Sequence, residues 1–138
     1  MPSGAREAGV PRFALAAVVV VLAVHGLIHL IGTTVYLKLA DLQGFAYKTT
    51  LVGGRLDVGD AGIRLFGVLW ILPALGFMGA AVALAAGWHW WRPVLLVTTL
   101  LSLALTSLDW SVAFAGAIVN LVVLVLLGLG PRVVGQVS

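Results

Sequence analysis

The sequence predicts an all-α integral membrane protein, a bundle of four transmembrane helices with a short extramembrane β-hairpin or loop between helices 1 and 2. The chain has 138 residues, of which 62% are hydrophobic and 9% are charged, and its mean hydropathy is +1.15. Soluble domains carry about 25% charged residues. A chain this apolar cannot cover a water-facing surface, so we expect the lipid bilayer to cover it.

Four apolar segments qualify as membrane-spanning helices, which need ~20 residues, although the third segment is short. They are residues 13–39, 62–86, 93–108 and 111–129. Because nothing else is long enough for a second core, we expect residues 1–138 to form a single polytopic membrane domain. The first segment follows basic residues, as in a signal peptide, but it is too long for one, and we expect it to be retained as a helix.

Single residues mark where these helices bend, begin or end. Gly87 has the position of a C-terminal glycine cap, and Pro93 has that of a first-turn proline. Pro73 predicts a local kink inside the second helix. Gly130 and Pro131 predict the end of the fourth helix.

Residues 41–60 form the longest polar connection. Their basic and acidic side chains place them outside the hydrocarbon, and Gly53 and Gly54 separate two runs of alternating residues. Alternation on both sides of a glycine pair predicts a short β-hairpin, with an irregular loop as the alternative.

The charges limit the partners and the orientation. The net charge is +3, and the eight basic residues are scattered, so we expect no nucleic-acid partner. The absence of cysteine excludes disulfide and thiolate chemistry. Lys and Arg are balanced between the two sides, but Arg6 and Arg12 flank the first helix, so we expect both termini in the cytoplasm.

Two histidines, His25 and His29, lie inside the first apolar segment at i, i+4 spacing, which places them on one helix face. A polar side chain at bilayer depth is by default a candidate functional residue. Two histidines on one face can bind a metal, but any further ligands must come from other helices. One face cannot supply both axial ligands of a haem. We therefore predict no cofactor. For the two histidines, interhelical hydrogen bonding, a proton-handling or ligand-binding role, and binding of a metal or of haem through one histidine stay open.

Other polar residues are expected at a similar depth. The candidate polar pocket consists of His25, His29, Arg64, Asp109 and Asn120. Arg64 and Asp109 are expected to pair, because an unpaired charge at the membrane boundary is costly. Three tryptophans between the second and third helices are predicted interfacial anchors: Trp88, Trp90 and Trp91.

Three stretches resemble a widespread group of small, uncharacterised bacterial four-helix membrane proteins. They are HGLIHLIG at residues 25–32, GIRLFGVLW at 62–70 and LDWSVAFAG at 108–116. The first is similar to the HGxxHxxG pattern of that group's first helix. The chain also resembles DoxX-like proteins, in size and layout only. The resemblance implies a multi-pass protein of the bacterial cytoplasmic (inner) membrane, and it implies no catalytic residue.

Two functions are weighed from the residues, and a transporter or channel, which would need oligomers because four helices are few for one pore, is a third interpretation. A bundle that binds a hydrophobic or lipid-like ligand, or that is a structural subunit of a homo-oligomer or larger membrane complex, is favoured, because no complete catalytic constellation can be drawn. The alternative is a small membrane enzyme or a redox or metal protein that uses His25, His29, Arg64 and Asp109 in a polar intramembrane pocket.

Overall fold

The computed structural model describes residues 11–134, and their side chains as far as residue 130. Four spans in this range are long and apolar enough to cross a membrane, and a two-stranded antiparallel sheet lies between the first and the second. The predicted fold class is therefore confirmed. The elements are α1 (Arg12–Tyr36), β1 (Thr50–Leu51), β2 (Leu56–Asp57), α2 (Gly59–Leu69), α3 (Ile71–Ala85), α4 (Trp91–Leu108) and α5 (Trp110–Val134). Arg6, used above for orientation, lies outside the described residues.

The helices pack in a sequence of neighbours. Helix α1 packs against α2 and α3, α3 packs against α4, and α4 packs against α5. Two apolar clusters fill the bundle, one near each end. The cluster near the hairpin contains Tyr36, Ile63, Phe66, Trp70 and Leu105, and the other contains Leu22, Phe77, Ala80, Ala81 and Leu95.

Helix α1 ends at Tyr36, three residues before the predicted end at residue 39. The N–H of Leu39 donates to the carbonyl of Thr34, and the N–H of Lys38 donates to that of Val35. This is a Schellman motif, and Lys38 has the positive φ of 56° that it requires. Because glycine normally occupies this position, the sequence carried no signal for the end of the helix.

The second span is interrupted at Trp70, between α2 and α3. Pro73 has no N–H to donate to the carbonyl of Leu69, so the predicted local distortion lies just before the proline. The span ends as expected at Gly87, which has a φ of 70°. The N–H of Trp88 donates to the carbonyl of Ala83 at 2.8 Å and completes a Schellman motif there.

The predicted end of the fourth span at Gly130 and Pro131 is wrong, because α5 continues to Val134. Proline in a helix leaves the carbonyl four residues earlier without its usual partner. That carbonyl belongs to Leu127, and it accepts a long hydrogen bond of 3.5 Å from Nη2 of Arg92 in α4. A contact from another helix thus replaces part of what the proline removes.

The connection between α1 and α2 contains the predicted hairpin in a short form. Thr50 pairs with Asp57 and Leu51 with Leu56, and the rest of the connection is turns and irregular chain. The N–H of Val52, at the tip, donates to the carbonyl of Leu108 at 2.7 Å. The hairpin is thereby attached to the end of α4 and closes this end of the bundle.

The contact between α3 and α4 depends on Gly76. A Cβ atom built at Gly76 clashes with the side chain of Thr98, whereas one built at Gly79 in the same helix meets nothing within 4 Å. Gly76→Ala should therefore destabilise the protein by about 1–3 kcal/mol through overpacking.

Thermal unfolding in detergent would measure this effect, with Gly79→Ala as the matched control. Alanine favours the helix over glycine by about 1 kcal/mol, so the control should be neutral or slightly stabilising. Equal losses in both variants would contradict close packing of α3 on α4 at Gly76.

Candidate functional site

A buried polar network connects α1, α4 and α5 in the middle of the bundle. His25 Nε2 lies 3.1 Å from Asn120 Oδ1, and Asn120 Nδ2 donates to Ser102 Oγ at 2.7 Å. His29 Nε2 lies 2.6 Å from the same Ser102 Oγ, and His29 Nδ1 lies 2.8 Å from the backbone carbonyl of His25. All four residues are buried, and Asn120 and Ser102 are fully so.

The direction of each hydrogen bond in this network follows from donor and acceptor chemistry. A carbonyl and an amide oxygen only accept, so His29 Nδ1 and His25 Nε2 must each carry a proton. Ser102 Oγ accepts from Asn120, which leaves its own hydrogen to donate to His29 Nε2. The pattern is satisfied when both imidazoles are neutral, in opposite tautomers, and it fixes the relative positions of three helices.

The hydrogen bonds of His25 and His29 leave few ring nitrogens free to bind a metal. Three of the four imidazole nitrogens of His25 and His29 have protein partners, and the two rings meet edge to face at 4.8 Å. Within residues 11–130, no group of three or more His, Cys, Asp or Glu side chains is placed to hold a metal ion. A metal or haem ligand role for the two histidines remains a prediction without structural support.

A second polar cluster lies where the bundle meets the hairpin. Asp109 follows α4 and is only 2% exposed. Lys48 Nζ donates to Asp109 Oδ1 at 2.6 Å and to Ser111 Oγ at 2.9 Å, and the Tyr36 hydroxyl donates to Asp109 Oδ2. Two donors thus hold a buried carboxylate between α1, the connection and α5.

The predicted pairing of Arg64 with Asp109 is wrong. Arg64 Nε lies 2.8 Å from Asp60 Oδ2, one turn earlier in α2, and both side chains are about half exposed. Arg64 therefore lies outside the pocket predicted for it. Lys48, instead of Arg64, pairs with Asp109, because the connection folds back over the end of the bundle.

The exposed groups of the connection form a separate cluster around Asp60. Lys38 Nζ donates to Asp60 Oδ1 at 3.1 Å and lies 4.1 Å from the centre of the Tyr47 ring. The Tyr47 hydroxyl donates to the Asp60 carboxylate, and this hydrogen bond raises the pKa of Tyr47 above its usual value. The N–H of Gly59 donates to Asp57 and lowers the pKa of that carboxyl group.

A cavity of about 230 Å³ opens between α1 and α5 and extends from the histidines to Phe45 and Ala46 in the connection after α1. Its walls are mainly apolar, with polar groups from His25, His29, Tyr36, Thr106 and Asp109. Of the five residues in the predicted polar pocket, the cavity therefore contacts His25, His29 and Asp109. Asn120 does not line the cavity but is hydrogen-bonded to His25, and Arg64 lies outside the cavity.

Trp70 also lines the cavity, although it was not among the residues predicted for the polar pocket. Only 6% of this residue is exposed, and its ring centre lies 5.4 Å from that of His29. Its indole Nε1 is the one buried side-chain nitrogen or oxygen, among the described residues, that lacks a hydrogen-bond partner. The sequence signal that could have found it is Pro73, which marks the helix break that holds Trp70.

The predicted anchors lie at the end of the bundle opposite the hairpin. Trp88 and Trp90 are exposed and stack on each other at 5.5 Å, in the turn between α3 and α4. Trp91 begins α4, with the guanidinium of Arg92 5.6 Å from its ring centre. Their position is compatible with a membrane interface, and their anchoring role stays a prediction.

Comparison with protein-family models, with curated proteins and with solved structures gives no match to this chain. The fold and the site define a small membrane protein with four candidate spans and a cavity between the first and the last of them. The resemblance to the small bacterial four-helix proteins stays a prediction.

The buried network gives a prediction for stability. Asn120→Leu removes the partners of His25 Nε2 and Ser102 in an apolar interior, which should destabilise the protein by about 1–2 kcal/mol. The measurement is chemical or thermal unfolding in detergent. Thr99→Val is the matched control, because the fully buried Thr99 hydroxyl donates only to Leu95 in its own helix.

A loss for Thr99→Val as large as that for Asn120→Leu would show that burial alone, and not the interhelical network, sets the effect.

The cluster around Asp109 gives a second prediction. Lys48→Ala leaves a buried carboxylate with Tyr36 alone, and because Lys48 is 24% exposed we expect a loss of about 1–3 kcal/mol. Lys38→Ala removes an ion pair that is half exposed on both sides and should lose less than about 1 kcal/mol. Unfolding of the two variants in parallel measures the difference.

Asp109→Asn, introduced into Lys48→Ala, should recover part of the lost stability, because it removes the uncompensated charge. No recovery, or equal losses for the two lysine variants, would contradict the pairing of Lys48 with Asp109.

Proposed function

We propose that this protein binds a hydrophobic, lipid-like molecule in the cavity between α1 and α5. The supporting observation is the cavity itself, which is mainly apolar, contains a few converging polar groups, and has a volume of about 230 Å³. Sites for small hydrophobic molecules commonly combine these features. Engineered apolar cavities of about 150 Å³ bind benzene, so there is room here for the head of a larger molecule.

The position of the cavity explains how such a molecule would reach it. Ile28 on α1 and Val112 and Ala115 on α5 line the cavity and are also exposed on the outer surface of the bundle. In a bilayer this surface faces lipid. A hydrophobic molecule could therefore enter sideways between the helices without passing through water.

The length of the cavity supports occupancy from one leaflet. From His25 to Tyr36 a helix rises about 16 Å, at 1.5 Å per residue. His25 lies near the middle of α1 and Tyr36 at its end. The cavity thus extends from mid-membrane to the hairpin side, about the depth of one leaflet of a 30 Å hydrocarbon core.

An enzymatic or redox role has less support. The proposed use of Arg64 as an anion clamp fails, because Arg64 pairs with Asp60 outside the cavity. His29, the candidate acid or base, has both ring nitrogens occupied by Ser102 and the His25 carbonyl. These arrangements favour a binding role over a catalytic one.

The proposal predicts that a neutral long-chain probe, 2-tridecanone, raises the midpoint of thermal unfolding in dodecylmaltoside. Binding to the folded state alone stabilises it, by about 2.7 kcal/mol at 100 times the dissociation constant. Ala115→Phe, which places a ring at the mouth of the cavity, should weaken binding at least tenfold. Ala104→Phe adds the same ring at an exposed position of α4 that does not line the cavity, and it should leave binding unchanged.

Equal stabilisation of all three proteins would indicate general partitioning into the micelle and would contradict binding in the cavity. No stabilisation of the unsubstituted protein would also overturn the proposal and would favour a structural subunit.

A further inference from the structure

We propose that the molecule bound in the cavity is an uncharged lipid with a hydroxyl group, and that this hydroxyl donates a hydrogen bond to Nδ1 of His25. This inference rests on the proposed function, since it names the chemistry of the molecule in the same cavity.

The first support is an acceptor without a partner on the cavity wall. His25 lines the cavity and is only 6% exposed, and its Nδ1 has no hydrogen-bond partner among the described residues. Buried polar groups nearly always have a partner, and hydrocarbon supplies none at this depth. A partner for Nδ1 must therefore come from outside the described chain.

Nδ1 of His25 is also accessible to such a partner. Among the described residues, Trp70 Nε1 is the one unpartnered side-chain nitrogen or oxygen that is sealed from a water-sized molecule, so Nδ1 is not sealed. The His25 ring packs against Phe77 and His29 and bonds Asn120 through Nε2. Because the cavity is the space that His25 borders, we infer that Nδ1 is reached from the cavity.

The second support is the chemistry of this nitrogen, which follows from its neighbours. The Thr106 hydroxyl donates to the carbonyl of Ser102 at 2.8 Å, so its oxygen can only accept from Asn120, at 3.4 Å. The amide nitrogen of Asn120 therefore points to Thr106, and the amide oxygen accepts from His25 Nε2. In the neutral ring Nδ1 then has a lone pair and no hydrogen, so its partner must be a donor.

The third support is that the side-chain donors on the wall are already used. The hydroxyls of Tyr36 and Thr106 donate to a carboxylate and to a backbone carbonyl of the chain. The imidazole N–H groups of His25 and His29 donate to an amide oxygen and to a backbone carbonyl, and Trp70 Nε1 is sealed. A ketone, an ester or a carboxylate thus finds no free side-chain donor on the described wall, whereas a hydroxyl finds a free acceptor.

The fourth support is the charge of the cavity. Asp109 is the one carboxylate on the described wall, and Lys48 Nζ, 2.6 Å away, neutralises it. An ammonium head finds no free carboxylate there, and burying a charge without a partner is costly. An amide N–H brings a carbonyl that also needs a donor. Among the uncharged donors of lipids, the hydroxyl group therefore fits this wall best.

The test compares 2-tridecanol with 2-tridecanone, which has the same chain but no hydroxyl hydrogen. The full chain is purified in lauryldimethylamine oxide, a detergent without O–H or N–H groups, and affinities are expressed per mole fraction in the micelle. Both compounds should raise the midpoint of thermal unfolding. The alcohol should bind about fivefold more tightly, which corresponds to one net hydrogen bond.

Labelling of the three histidines with ¹⁵N locates the hydrogen bond. An unprotonated ring nitrogen shifts upfield when it accepts a hydrogen bond. The alcohol should therefore move the Nδ1 resonance of His25 upfield saturably, and the ketone should not. His89, exposed in the turn between α3 and α4, is the internal control and should not respond.

His25→Gln places an amide nitrogen near the position of Nε2, so it keeps a donor to Asn120 while it removes the acceptor at Nδ1. The preference for the alcohol should fall to about one. Thr106→Val removes another hydroxyl of the wall and is the matched control, in which the fivefold preference should remain. If His25→Gln does not fold, the ¹⁵N titration of the unsubstituted protein still decides.

Four outcomes would overturn the inference. If alcohol and ketone bind equally and the His25 signal stays in place, the cavity binds lipid without recognising a hydroxyl. If the preference survives in His25→Gln, another group accepts the hydrogen bond. If laurate or dodecylamine binds more tightly than 2-tridecanol, the molecule is charged. If none of these compounds stabilises the protein, the proposed function fails together with the inference.

Discussion

The structure depends on one constraint, the need of each buried polar group for a partner inside the chain, because hydrocarbon supplies none. His25, His29, Ser102 and Asn120 meet this need together, and in doing so they fix α1, α4 and α5 relative to one another. Apolar contacts alone give little specificity in a membrane, since lipid chains are as apolar as the helix surfaces. The network is therefore better understood as the element that selects one helix arrangement than as a reactive centre.

The same constraint acts at the end of the bundle. The buried Asp109 carboxylate is tolerated because Lys48 and Tyr36 both donate to it, and Lys48 can do so only because the connection after α1 folds back. The hairpin is attached to α4 through the Val52 N–H, which holds the connection in place. Packing, charge and loop conformation are thus coupled at the end of the bundle where Asp109 lines the cavity.

The cavity lies beside the buried polar network, and His25 and His29 belong to both. The hydrogen bond between His25 and Asn120 joins α1 and α5 at the inner end of the cavity, and mainly apolar residues line the rest of it. Trp70 contributes the one unpartnered buried donor of the described side chains. The apolar lining of the cavity is the observation behind the proposed binding of a lipid-like molecule.

The sequence by itself determined the four spans, the hairpin and the glycine cap at Gly87, because hydropathy, alternation and glycine conformation act locally. It also selected His25, His29, Asp109 and Asn120, since polar residues in apolar surroundings are conspicuous. Only the tertiary structure decided the pairing of Asp109 with Lys48, the end of α1 at a left-handed Lys38 and the place of Trp70 in the wall. These contacts depend on how each helix is rotated about its axis and on how the connection after α1 folds back over the bundle. Neither can be read from local sequence patterns, because the lipid-facing and core-facing positions of this chain are both apolar.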